Sequence, residues 1–154
     1  TVMLGSVLAT PLFDDLYEFR GVMEVAIAHR AAETATQAQI EEITAACERY
    51  SQCHRLGLPT SQVDLDFHEA IARGANNQIY EELIVSTRAM LEAARSRTQL
   101  LPDATELAEE QHWAITQAIA IGDMEQAASV MAEHIKSAKW ALEQARLRMS
   151  DDGA

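Results

Sequence analysis

The sequence predicts an all-α protein, an antiparallel bundle of about six helices. Apolar residues recur at three- and four-residue spacing, and no alternating β-branched run reaches strand length. Only 3 Pro and 6 Gly interrupt 154 residues, and the stretches between them are rich in the helix formers Ala, Glu, Gln and Leu. The breakers that do occur leave short connections, the kind that join antiparallel helices.

Residues 1–12 read as an extended lead-in ending near Pro11. The first helix is expected over Asp14–Glu33, with the Asp14-Asp15 pair at its positive N-terminal end. Thr36 to Gln39 has capping-box spacing and opens the second, over Gln37–Arg55. Gly57, Pro59 and Thr60 break the chain before the third, over Ser61–Gly74. Asn77 is placed to cap the fourth, over Gln78–Thr98. Pro102 opens the fifth, with Asp103 and Glu106 in box spacing, and it runs to Ile121. Gly122-Asp123 closes it and caps the sixth, over Met124–Arg148. The domain is thus expected over residues 13–149, with a frayed tail over 150–154.

Composition excludes several classes. A hydrophobic content of 48% is too high for a chain disordered by composition. No apolar run approaches the roughly 20 residues that span a bilayer. Two cysteines cannot build a disulfide scaffold and read as reduced thiols, which points to the cytoplasm. With 24 acidic against 12 basic residues, the net charge is −12. Only Lys136 and Lys139 are lysines and the arginines are scattered, so this chain by itself lacks the basic patch that grips phosphates.

The informative residues are polar ones on apolar faces. In the third helix, Val63, Phe67, Ala70 and Gly74 form one row, and Asp64, His68, Ile71 and Ala75 the next. Asp66, Glu69 and Arg73 lie opposite. Asp64 and His68 therefore point inward, one turn apart on the same side. The fifth helix places His112 in a row with Ala108, Ile115 and Ile119. The sixth places His134 with Ala127, Met131 and Ala138. One inward histidine is usually a hydrogen-bonded core residue. Three from three helices, beside a carboxylate that burial would otherwise penalise, favour a divalent transition metal such as Zn²⁺, Ni²⁺, Mn²⁺ or Fe²⁺. His29, at a stripe edge, and His54, in a last turn where a cation suits the dipole, read as structural.

Arg20 shares a row with Leu16, Met23 and Ile27. It reads equally as an i,i+4 partner of Glu24 and as a clamp for a ligand carboxylate. Arg88, between Ile84 and Leu91, is a weaker candidate of the same kind. Trp113 stands among Glu106, Glu110 and Gln117, where it marks either a dimer contact or half-buried packing.

These residues resemble a known family. Asp64-Leu65-Asp66-Phe67-His68 followed by Asn77 resembles the D-x-x-F-H…N motif of the FCD ligand-binding domain. That is the C-terminal effector domain of GntR-type transcriptional regulators of the FadR subfamily. Leu16 to Arg20 with Glu24 resembles its first helix. Glu110-Gln111-His112, Ala118-Ile119, Gly122-Asp123, Ala127, Met131 and Glu133-His134 resemble its second half, so the likeness covers residues 12–147. It implies that Asp64, His68, His112 and His134 hold a metal, as in the metal-binding branch, and that Arg20 meets an effector's carboxylate. Asn77 matches the end of the motif, and helix capping explains it equally well. The resemblance further implies a homodimer and an N-terminal winged-helix domain that contacts DNA. No such domain precedes residue 1 here, and the expectation is that the chain is a truncated piece of a longer regulator.

The function expected is therefore non-enzymatic sensing of a small organic acid beside a bound metal. A helical-bundle enzyme is the rival. A di-iron centre needs two Glu-x-x-His motifs. Glu109 to His112 supplies one, but Met131 stands three before His134. A mononuclear hydrolase needs a general base, and the apolar rows show no spare inward carboxylate. A purely structural bundle is the third reading.

Overall fold

The computed structural model describes residues 12–99 and 101–151, with side chains as far as Arg148. Those residues form six helices and no strand: α1 Leu12–Thr34, α2 Gln37–Arg55, α3 Ser61–Gly74, α4 Gln78–Thr98, α5 Pro102–Ile121 and α6 Met124–Asp151. The expected boundaries of α2, α3, α4 and α5 hold. Leu12 already belongs to α1, so the predicted lead-in shrinks to residues 1–11, which lie outside the described residues. Residues 150 and 151 continue α6 rather than fray, while 152–154 also lie outside.

Local chemistry sets most of these ends. The Thr36 side chain accepts from Gln39 N, and the Gln39 side chain accepts from Thr36 N, which is the reciprocal capping box the sequence predicts. Asn77 Oδ1 accepts from Ile79 N at 3.0 Å. Gly122 closes α5 in the left-handed region at φ 73°, and Asp123 Oδ1 then accepts from Gln126 N. The predicted Asp103–Glu106 box does not form. Leu101 is the N-cap, without a side-chain bond, and Pro102 starts the helix. Proline lacks the N–H that a cap would satisfy and its fixed φ seeds the first turn, so Asp103 falls inside the helix.

The packing departs from a simple up-and-down order. α1 lies chiefly along α6, the last helix, and α6 also packs on α5 and α4. α3 is the central element, with α1, α2 and α4 around it. Small residues make this possible. A Cβ at Gly74 would stand 3.2 Å from Ile43 Cδ1 and 3.6 Å from Ala31 Cβ, so α1, α2 and α3 converge there. The α1–α2 connection is tied to the same point: Thr34 Oγ1 donates to Gly74 O and Gln39 Nε2 donates to Arg73 O. The main core runs from Phe13 and Tyr17 through Ile43, Phe67 and Ile71 to Ile115, Met131 and Leu142.

The contrast between the two boxes is testable. Thr36→Ala removes a formed cap and should lower stability by about 1 kcal/mol in urea unfolding. Asp103→Ala removes only a first-turn charge and should shift it by less than about 0.5 kcal/mol.

Candidate metal centre

The helices bring the four predicted residues together. Asp64 and His68 come from α3, His112 from α5 and His134 from α6, and all four are buried. One ligand atom from each lies within 4.8 Å of every other. Asp64 occupies the first turn of α3, where the helix dipole favours a carboxylate. The His112 ring is held by Phe67, stacked at 4.2 Å between centroids, and by the edge of Tyr50 at 4.5 Å.

Hydrogen bonds behind the cluster fix which imidazole nitrogens face it. Ser137 Oγ donates to Glu133 O, so it accepts from Gln111 Nε2. That orients Gln111 Oε1 toward His134 Nδ1, 3.0 Å away, and places the ring proton on Nδ1. His68 Nδ1 lies against Glu24 Oε2 in an ion-pair contact off the hydrogen-bond line, and the carboxylate favours the ring proton on that side. Both Nε2 atoms then turn lone pairs toward each other at 3.2 Å. Two facing lone pairs in a buried site require a cation between them, a proton or a metal ion. His112 Nε2 and Asp64 Oδ1 are 3.3 Å apart. Two ligands each about 2.1 Å from one ion lie roughly 3–3.4 Å apart, so both separations and the N₃O donor set fit a divalent transition metal.

Burial sets the electrostatics. It pushes the His112 imidazole down to about 4, against the pull of Asp64. It also pushes His134 well below the ordinary range, with the neighbouring His112 and His68 adding to the effect. Both therefore offer neutral rings at pH 7, the form that binds metals. Burial alone would raise the Asp64 carboxyl, but Arg95 and His112 outweigh it and hold it well below its usual range. Glu24, equally buried, is held at about 2 by Arg20 and His68.

The other predicted residues scatter. Arg20 is 1% exposed and pairs with Glu24 through Nε at 2.5 Å, as one of its two readings had it. Its guanidinium carbon sits 5.2 Å from the Tyr17 ring centroid. Its two terminal nitrogens are buried without a hydrogen-bond partner. Arg88 turns away from the cluster, onto Glu69, Asp66 and Gln62 on the outer face of α3. Asn77 is an exposed cap. Neither reaches the centre, because each is explained by its local bonds. Trp113 is half-buried and donates to Ser51 Oγ at 2.9 Å, so packing accounts for it. His29 is near Glu125 at the surface, and His54 pairs with Glu109.

Two further buried residues touch the cluster, and the sequence pattern placed neither there. Glu24 is an inward carboxylate after all, and it backs His68. Arg95 lies 2.7 Å through Nε from Asp64 Oδ2, off the hydrogen-bond line. It also lines a cavity of about 140 Å³, which reaches Asp64 and His134 and is walled by Tyr50, Leu107 and Trp140.

Comparison with known proteins gives the family. The FCD domain pattern matches residues 15–137. The chain belongs to the FCD domain family. It is 26% identical over 125 residues to the HTH-type transcriptional regulator LutR of Bacillus subtilis (strain 168), covering 78% of this chain and 57% of that protein. The fold is that of the structure titled Streptococcus agalactiae GntR, with a TM-score of 0.70 and 23% identity over 80% of this chain and 56% of that one. This FCD domain thus spans little more than half the length of either.

The pKa directions give a signed prediction for the metal-free FCD domain. His112, depressed to about 4, contributes stability that is complete above the unfolded value near 6.5 and lost as pH falls toward 4. Glu24, depressed to about 2, adds a second loss below about 4.5. Urea midpoints at successive pH values should therefore drop from pH 7 downward, with no plateau between pH 6 and 3.

Proposed function

We propose that this FCD domain is the sensor half of a GntR-type transcriptional regulator. Asp64, His68, His112 and His134 hold one divalent transition metal, and a small organic acid enters the adjoining cavity. The observation that carries the proposal is the pair of Nε2 atoms 3.2 Å apart in the core, with Glu24 and Gln111 behind the two rings. A bound metal supplies Lewis acidity and open positions for an acid's oxygens. The chain's own residues do the rest. Glu24 and Gln111 back the imidazoles, and Arg20 lends positive charge through its unpartnered terminal nitrogens.

DNA contact would belong to a winged-helix domain N-terminal to this one, in a homodimer in the cytoplasm. The net charge of −12 fits a domain that leaves phosphate binding to another part of the protein. No described helix is long and apolar enough to cross a membrane. Acid binding would shift the placement of two DNA-binding heads, which takes differential affinity of about 1–3 kcal/mol between two arrangements.

The enzyme readings find less support. A hydrolase needs a base, and the one further inward carboxylate described, Glu24, is bonded to Arg20 and far too weakly basic. Glu109, the carboxylate a di-iron centre would need, points to His54.

Elemental analysis of chelator-free protein tests the proposal. Near one equivalent of transition metal per chain is expected, lost in Asp64→Ala and in His134→Ala. Metal at about a hundred times its dissociation constant should add roughly 2.7 kcal/mol of stability. A chain that takes up none of Zn²⁺, Ni²⁺ or Mn²⁺ would return the histidines to a structural role.

A further inference from the structure

Arg95 is a cavity residue with a buried donor left unpartnered. It sits in the last turn of α4 and is 7% exposed. Its Nε faces Asp64 Oδ2, while Nη2 is buried without a hydrogen-bond partner. A buried guanidinium nitrogen with no acceptor is costly, and Arg95 lines a cavity from which an acceptor can come.

The charge balance points the same way. Arg20 is cancelled by Glu24 and Arg95 by Asp64, and an imidazole that ligates a metal is neutral. A divalent ion added to that set leaves two positive charges uncompensated in the core, where an unpaired charge is expensive. One carboxylate neutralises half of that excess; two neutralise it all.

Resting on the metal-site reading above, we propose that the cavity selects a small organic dianion. One carboxylate lies at the metal and the second on the unfilled edge of Arg95. A planar guanidinium matches a carboxylate in two parallel bonds, and its charge does not titrate away. The cavity is about 140 Å³. At about 30 Å³ per water it has room for roughly five water-sized groups, which suits a diacid of few carbons. Arg95, not Arg88, is then the arginine that reads the ligand, and the number of acidic groups is what it reads.

Malate and lactate share an α-hydroxy carboxylate and differ in the second carboxylate, so they are the probes. Isothermal titration of zinc-loaded wild-type protein should show malate binding at least about tenfold more tightly than lactate, the worth of one charge-assisted contact. Arg95→Gln should still hold one zinc per chain and bind the two acids to within about threefold of each other. Arg95→Lys, which keeps the charge, should retain part of the preference. Equal affinities in the wild type, no binding of either acid, or a preference that survives in Arg95→Gln would each overturn the proposal while leaving the metal site standing. Failure of the wild type to take up zinc would overturn both. If Arg95→Gln does not fold by circular dichroism, the wild-type comparison decides alone.

Discussion

Two imidazole nitrogens facing each other at 3.2 Å in a buried core are the constraint on which the rest of this domain turns. Lone pairs repel, so the contact stands only with a cation between them. Each ring also has a partner behind it, His68 in ion-pair contact with Glu24 and His134 hydrogen-bonded to Gln111. The chain of partners runs from Arg20 and Glu24 on α1, through His68 on α3, to His134 on α6 and Gln111 on α5. Arg95 adds α4 through Asp64. Five of the six helices thus meet at one electrostatic point, and α2 supplies the Tyr50 edge that holds His112 in place. This also explains why α1 lies on α6 rather than beside α2. α1 packs on both α6 and α3, which brings Glu24 to His68.

Much of this was legible in the sequence because helical rows are regular. Asp64, His68, His112 and His134 interrupt apolar rows at fixed spacing, and a row places a side chain on a face without knowledge of the neighbour. Caps were legible where a side chain does the capping, at Thr36, Asn77 and Asp123. The failure at Asp103 came from Pro102, which starts a helix by its own geometry and needs no cap.

The residues missed were those whose role depends on what a neighbouring helix brings. Glu24 was visible as an i,i+4 partner of Arg20, but its contact with His68 depends on how α1 crosses α3. Arg88 and Arg95 are seven apart and fall in nearly the same row of α4, so spacing alone favours neither. The buried stripe of that helix runs Ile84, Thr87, Leu91, Ala94, Arg95 and Thr98. Its centre drifts as the helix proceeds, because 3.6 residues per turn do not divide seven evenly. Arg88 falls on the side of the acidic face of α3, and Arg95 falls inward. A basic residue in a last turn also has a ready explanation in the helix dipole, which hid it further.

The position of Arg95 bears on how binding in the core would be felt elsewhere. Four residues on, Gln99 ends α4, and its Oε1 accepts from both Thr60 N and Ser61 N, the first amides of α3. Thr60 provides no side-chain cap of its own. The start of α3, which carries Asp64, is therefore held by the end of α4, which carries Arg95. Both Gln99 and Arg95 line the cavity, together with the first turn of α5. In the proposed sensor, an acid that drew Arg95 toward itself would pull on the same segment that caps α3, and so on the ends of three helices. Close-packed helices respond to such a pull by choosing between discrete arrangements rather than by stretching. In the proposed sensor, the ligand's two charges thus act on helix placement through one arginine and one glutamine, a turn apart on α4.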